Sequence, residues 1–368
     1  MNTDLQKGAD NLLLTCAGLV PGDRLLVLHE GAEETYYHND ILDAVLDRAR
    51  TLGIEVATQE VPVSPDGAVP DETLVTQMKA ATRSLFLARF GDQIRFNADM
   101  AGICPIMSYA LDAGMLASGF GQGHYHGFVA IKNAVNRMVA RAEDIHVTCP
   151  LGTDFRGDGA KFPTQISDVA VTRFPMSVFA PVPAGNFSGQ VVQHGFLVGT
   201  GSRFYEPYAC ALETPVTFTV HQGRITALDG DDSDVSTARQ HYDRVSARYG
   251  IDPWVIHSWH AGIHPGCNYR RPVAENFARW SGAAFGNPRL LHFHTCGSYA
   301  PGEISLNVLD PTICLDGVAV WNGGRFDANL VTGVPDILNK HPDIARIFDE
   351  PSRNVGQCPE ETLSGTWA

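Results

Sequence analysis

The stretch LLVLHEGAEETYYHNDILDAVLDRARTLGIEVATQEV, residues 25–61, decides the fold. It opens on the apolar run Leu25-Leu26-Val27-Leu28, the mark of a strand buried in a parallel sheet. Residues 41–52 then place apolar side chains at helical spacing and stop at Gly53, a helix-ending signal. Residues 54–61 predict the next strand. Upstream, Leu5, Leu12, Leu13, Cys16 and Leu19 predict a helix over residues 4–19, and Pro21-Gly22-Asp23 a turn. Downstream, residues 71–83 predict a helix and residues 84–88, SLFLA, a strand. This β-α-β-α-β alternation implies an α/β N-terminal domain with a doubly wound parallel sheet. No GxGxxG follows the first strand, so no dinucleotide site is expected.

Residues 125–141 predict the last helix of that domain, and the texture then changes. Residues 145–149 read as a strand leading into Gly152-Thr153-Asp154-Phe155. Short strands between Gly and Pro turns are expected over 188–197, 209–220 and 224–228, then a helix over 234–249. Further strands are expected over 255–259, 290–295, 303–309 and 318–321. This half reads as mainly antiparallel, β-rich α+β structure. The expected division is residues 1–145 and residues 146–368, with the active site in the second part.

The bulk numbers agree with two domains. A chain of 368 residues exceeds what one core usually supports. At 44% hydrophobic and 18% charged residues it is an ordinary globular chain. Its net charge of -14 argues against nucleic acid, which needs a basic surface. No run approaches the length of a membrane span, and the acidic N-terminal stretch is not a signal peptide, so a cytoplasmic location is expected. The eight cysteines form no CxxC pair, and reduced thiols are expected.

Five of the 14 histidines fall between 257 and 294: His257, His260 and His264 in IHSWHAGIHP, His292 and His294 in HFHTCG. On a strand His292 and His294 share a face. Glu303 follows a short Gly/Pro loop, so a hairpin can bring it beside them. Two histidines and a carboxylate form the ligand set of a mononuclear non-haem Fe(II) site, and zinc hydrolases use the same set. His257, His292, His294 and Glu303 are therefore the candidate metal ligands, and His260 a candidate acid or base. HExxH is absent. His264, before Pro265-Gly266, reads as a turn residue.

Cys296 has two readings: a nucleophile activated by a nearby histidine, or, the favoured one, a buried small hydrophobe. Arg270 and Arg271 in CNYRRP are candidates to clamp a substrate carboxylate, or are a solvated pair. Asp154 can orient a ligand or cap a turn. His124 and His126 in GQGHYHGF can reach a cleft, though a role at the start of the helix is favoured.

Taken in order, LVPGDRLLVL, IHVTCPLGTDF, QGRITAL, IHSWHAGIHP and ICLDGVAVWNGG resemble the aminopeptidase T superfamily of metallo-aminopeptidases. The pattern is most like the branch containing 2,5-dihydroxypyridine 5,6-dioxygenase, over most of the chain at low identity. The resemblance implies an α/β domain followed by a β-rich one, metal at the cleft, and homo-oligomers. It also implies Fe(II) held by a histidine in the IHSWHAGIHP stretch and by a His-x-Asp pair before the Leu315-Asp316-Gly317 strand. This chain has Ser258 at the first position and Glu303-Ile304-Ser305 at the pair, so the triad is not retained residue for residue.

Three functions follow as expectations. The first is an Fe(II)-dependent dioxygenase opening a small hydroxylated N-heteroaromatic ring. The second is a hydrolase or other metal-free enzyme on the same scaffold, using His and Glu with or without Cys296; zinc or no metal are the alternatives to Fe(II). The third is a non-catalytic small-molecule binder on the same fold.

Overall fold

The computed structural model describes residues 2–63, 69–95, 97, 100, 102–103, 105–162, 170–200 and 204–356. Cys104 and Cys358 lie outside them, and the six described cysteines are free thiols. No helix among the described residues is long and apolar enough to cross a membrane.

The first sheet has five parallel strands in the order Glu55–Glu60, Arg24–His29, Arg83–Leu87, Ile106–Ser108, Thr172–Phe174. Strand alternation divides its apolar residues between two cores. Leu25 and Val27 face the large core shared with the second sheet, where Ile41 and Val45 of the helix Asn39–Thr51 also pack. Leu26, Leu28 and Phe86 face a second cluster covered by Leu74 and Met78 of the helix Glu72–Ala80. Helices on both faces make the sheet doubly wound. The caps are those the sequence offers: Asp71 accepts from Leu74 N–H at 2.7 Å, and Gly53 takes φ 72° after the helix Asn39–Thr51.

Two features of this half differ from expectation. The opening helix is α only over Thr3–Asp10 and continues as a π-helix over Asn11–Cys16. There the buried Asn11 amide donates to the Gly121 and Gly123 carbonyls at 2.8 Å each and accepts from Tyr125 N–H at 3.0 Å. The chain also returns to the parallel sheet late, at Thr172–Phe174, after it has already placed Ile145–Thr148 in the second sheet.

The second sheet has twelve strands joined by antiparallel ladders. Its path runs Arg325–Phe326, Val318–Asn322, Thr312–Leu315, Ile145–Thr148, Asp154–Gly157, Ser188–Val198, Glu303–Leu309, Leu290–Cys296, Ile256–Ala261, Val182–Pro183. The long hairpin Ala209–His221 and Arg224–Asp229 pairs alongside Ser188–Val198. Leu290–Cys296 and Glu303–Leu309 are buried at every residue, since this part of the sheet is covered on both faces. One cover is the helix Phe277–Ala283, whose Arg279 donates to the Tyr36 carbonyl (2.8 Å) and pairs with Asp112 (2.6 Å). Gly282 permits this docking: a Cβ there would lie 1.6 Å from the Tyr36 hydroxyl.

Candidate metal centre

Three adjacent strands build the site. Register sets Ser258 opposite His294 and His294 opposite Ser305. The next row on the same face sets His260 opposite His292 and His292 opposite Asn307. Cross-strand partners share a face, so three imidazoles crowd one small patch of a buried sheet. The ring centroids of His260 lie 4.2 Å from His292 and 5.2 Å from His294. One ligating nitrogen from each of the three lies within 4.8 Å of the others.

Groups behind two of the rings orient them, while His292 Nδ1 is buried with no partner among the described residues. His260 Nδ1 lies 2.7 Å from the Phe179 carbonyl, which only accepts, so Nδ1 carries a proton and the neutral ring turns its Nε2 lone pair to the cluster. His294 Nδ1 likewise donates to Glu303 Oε1 at 2.6 Å, which turns its Nε2 toward the cluster. His294 Nε2 then stands 3.3 Å from His260 Nε2, a separation that a shared proton or a metal ion between the two nitrogens accounts for. His292 Nε2 completes the cluster, 2.7 Å from His260 Nε2. Burial first, then His260, His294 and Arg95, hold His292 well below the ordinary imidazole pKa, so that ring is neutral. With metal–nitrogen bonds of about 2.1 Å, two nitrogens on one ion sit about 3 to 3.4 Å apart. The 3.3 Å pair falls in that range, and the 2.7 Å pair has to open slightly to share an ion; by donor type the set, three imidazoles with two oriented from behind by a carboxylate and a carbonyl, suits a divalent transition-metal ion.

Glu303 stands behind His294 and outside the converging atoms. Its Oε1 accepts from His294 and from the Thr200 hydroxyl, while Oε2 is buried without a partner. Burial alone would raise its pKa, but His294, Thr200 and Arg95 outweigh it and hold the carboxyl below its ordinary value. Tyr205 donates to the Glu303 backbone carbonyl at 2.8 Å. Phe285 stacks on His292 at 4.0 Å and 15°.

The histidines open into a cavity of about 190 Å³. Its apolar wall includes Pro175, Val178, Pro181 and Phe285. Its polar wall comes from the parallel sheet: Asp92 and Arg95 after the strand Arg83–Leu87, Tyr109 after Ile106–Ser108, and Arg173 on Thr172–Phe174. Ligands of parallel α/β sheets gather at the carboxyl ends of the strands, and here three neighbouring strands contribute there. Burial, then Asp92, pushes Tyr109 up to about 12, so it is a phenol and a donor. The sequence reading missed Arg95, Tyr109 and Arg173. Tyr109 and Arg173 stand at or just after strands only three residues long, and Arg95 follows its strand only after the short helix Phe90–Gln93, so the sequence signal is weak.

Other expected site residues stand elsewhere. The ladder slips by one residue between Ile256 and Ser258, which makes His257 the extra residue of a bulge. His257 Nε2 bonds the Cys296 carbonyl at 2.9 Å instead of joining the cluster. Cys296 ends its strand at φ 62° and does not line the cavity; burial pushes its thiol up to about 12, so it is not the thiolate a nucleophile needs. Arg270 and Arg271 are exposed and away from the cavity, so the guanidiniums that reach it are Arg95 and Arg173. Asp154 is exposed and pairs with His146 at 2.8 Å. His264 stacks on Phe128 at 3.7 Å in the core.

No family model matches this sequence, and no curated protein does. Among solved structures, the chain is similar to 2,5-dihydroxypyridine dioxygenase from Pseudomonas putida KT2440, with TM-score 0.60 and 16% identity over 88% of this chain and 97% of that one. Wild-type AmpT from Thermus thermophilus gives TM-score 0.41 and 10% identity over 84% of this chain and 94% of that one. The chain shares its fold with the dioxygenase structure, which is the fold the sequence resemblance implied.

Proposed function

We propose that this chain is an Fe(II)-dependent dioxygenase that opens a small hydroxylated N-heteroaromatic ring, with His260, His292 and His294 holding the ion. The observation that carries the reading is that one ligating nitrogen from each of three buried histidines lies within 4.8 Å of the others, two of the rings being held by a partner on Nδ1. The similarity to a dihydroxypyridine dioxygenase structure supports the choice of reaction at the level of fold. The ion supplies the redox chemistry that inserting oxygen into an aromatic ring requires, and a three-histidine shell leaves positions open.

The chain's own residues do the rest. Glu303 holds the proton on His294 Nδ1, and the Phe179 carbonyl holds that on His260 Nδ1, which keeps both Nε2 lone pairs turned inward. Phe285 covers one face of His292 and limits water on that side. Tyr109, Arg95 and Arg173 give the cavity donors that orient polar substituents of a ring.

A second reading is favoured by the ligand set itself. Three histidines with an open position also suit a zinc hydrolase. Metal-free chemistry through Cys296 loses support, because that thiol lies off the cavity. Metal analysis with an anaerobic assay separates the readings. The expected result is about one iron per chain and ring opening of hydroxylated pyridines that stops without O₂ and after chelation. Full turnover without oxygen would sink the oxygenase reading; retained zinc with hydrolytic turnover would establish the second.

A further inference from the structure

We infer that Ser258 stands at the open side of the histidine cluster and donates a hydrogen bond to the ring hydroxyl oxygen that meets the ion there. The inference rests on the three-histidine reading for where the ion sits, and on strand register and exposure for the role of Ser258.

Register is the first argument. Ser258 and His260 share one face of their strand, His294 and His292 one face of the next, and the cross-strand pairs are Ser258 with His294 and His260 with His292. All four side chains line the cavity. They are the corners of one square on the sheet, and three of the corners are imidazoles. Cross-strand neighbours carry Cβ atoms about 4.5–5.5 Å apart, close enough for their side chains to serve one small ligand. An imidazole nitrogen reaches further from its Cβ than a serine oxygen does, so the Ser258 corner leaves room that the other three fill. Beyond His294 and His292 the two rows continue as Ser305 and Asn307. Those two are buried, do not line the cavity, and are closed on each other, Ser305 donating to Asn307 at 3.1 Å.

Exposure is the second argument. His292 is 2% exposed, His260 4% and His294 8%, and Ser258 is more exposed than any of them. Phe285 covers His292, and Phe179 meets His260 edge-on at 6.1 Å and 82°. The cluster is therefore reached beside His294, at the Ser258 corner. The Ser258 hydroxyl makes no hydrogen bond to another described residue, so its hydrogen is there to give. A divalent cation next to an aromatic hydroxyl favours the anion, whose oxygen only accepts. A hydrogen bond to such an oxygen is roughly twice as strong as one between neutral groups.

Two measurements test it: zinc affinity by competition with a chelator, and titration calorimetry of the zinc-loaded protein with 3-hydroxypyridine and with pyridine, which differ only by the hydroxyl. Ser258→Ala should leave zinc affinity within about twofold, weaken 3-hydroxypyridine about tenfold and leave pyridine unchanged. Ser258→Thr keeps the hydroxyl and should stay within about threefold of the wild type for 3-hydroxypyridine. Ser258→His supplies a fourth imidazole and should tighten zinc at least about tenfold while abolishing 3-hydroxypyridine binding. Equal loss of both probes in Ser258→Ala, no loss of either, or a loss of zinc as large as the loss of 3-hydroxypyridine would each overturn the inference. Unchanged zinc affinity in a folded Ser258→His would place the fourth corner away from the ion and overturn it as well. A wild type that takes up no zinc at the histidines would sink the metal reading and this inference together; a wild type that binds zinc and 3-hydroxypyridine, with Ser258→Ala indistinguishable from it, would sink this inference alone.

Discussion

His260, His292 and His294 meet on the interior of the antiparallel sheet, and His124, His126 and His341 meet at the start of the helix Tyr125–Val139. The ring separations barely differ: 4.2 Å for His260 and His292, 4.3 Å for His124 and His341. What differs is the partner behind each ring. In the interior group a carbonyl and a carboxylate accept from Nδ1 and turn the two Nε2 atoms toward each other. In the outer group His124 Nδ1 accepts from Gly127 N–H, so that nitrogen is used as a helix cap, and the ring meets His341 at an interplanar angle of 35°. Proximity of imidazoles does not make a ligand set; the groups that orient them do.

The largest test of this contrast is metal content. His260→Gln and His292→Gln should each weaken metal binding by more than about 100-fold, beyond what loss of an outer partner costs. Metal after desalting should then fall from about one ion per chain to background. His124→Gln and His341→Gln should leave it unchanged. Full metal retention in a folded interior variant would break the comparison.

Glu303→Gln is the next test. The amide oxygen still accepts from His294 Nδ1, but the negative charge that makes the imidazole a better donor is gone. Metal affinity should fall about 10- to 100-fold with the fold retained, read by competition with a chelator. Thr200→Val removes only one bond to Glu303 and should cost less than Glu303→Gln. An unchanged affinity in Glu303→Gln would remove the carboxylate from the site.

Much of this contrast was legible in the sequence, and the missing part has a physical reason. The spacing of His292 and His294 puts both on one strand face, and the Leu25–Leu28 run marks a buried parallel strand whatever the partner. The bulge at His257 is different: an extra residue is defined only against the strand it faces, here Leu290–Cys296. For that reason His260, expected as an acid or base, joins the cluster, and His257, expected as a ligand, bonds the Cys296 carbonyl instead. Cys296 leaves strand alternation through a positive φ that a non-glycine residue rarely signals. Arg95 and Arg173 are 78 positions apart in the chain, and only the order of the parallel strands brings them to one wall.

A third environment sharpens the comparison through pH. His264 and His241 are buried away from the metal candidates, and burial lowers them to about 3 and about 4. An unfolded histidine titrates near 6.5. Below that pH the unfolded chain binds protons that these folded rings refuse, so stability falls as pH falls, down to the folded values. Each ring contributes a slope of about 1.4 kcal/mol per pH unit, or about 2 kcal/mol between pH 6.5 and 5. Urea midpoints across that range should drop, and His264→Phe, in its pocket beside Phe120 and Phe128, should remove about half of the part due to these two rings. A pH dependence unchanged in that variant would mean His264 takes up its proton in the folded state.

The smallest effect belongs to the outer group, and it tests whether that group is local structure alone. His124 caps the helix Tyr125–Val139 by accepting from Gly127 N–H at 3.3 Å, while its own N–H donates to Asp343 at 3.0 Å. Removing a side-chain cap costs about 0.5–2 kcal/mol. The bond here is long and the ring half-buried, so His124→Ala should sit near the lower end, about 0.5–1 kcal/mol by urea unfolding at pH 7.5. His124→Ser restores a capping oxygen and should recover most of that loss. If Ser and Ala cost the same, the contribution of His124 is its ring packing against His341 rather than the cap. If either variant lowers metal content, the outer group is coupled to the interior one and the distinction between them fails.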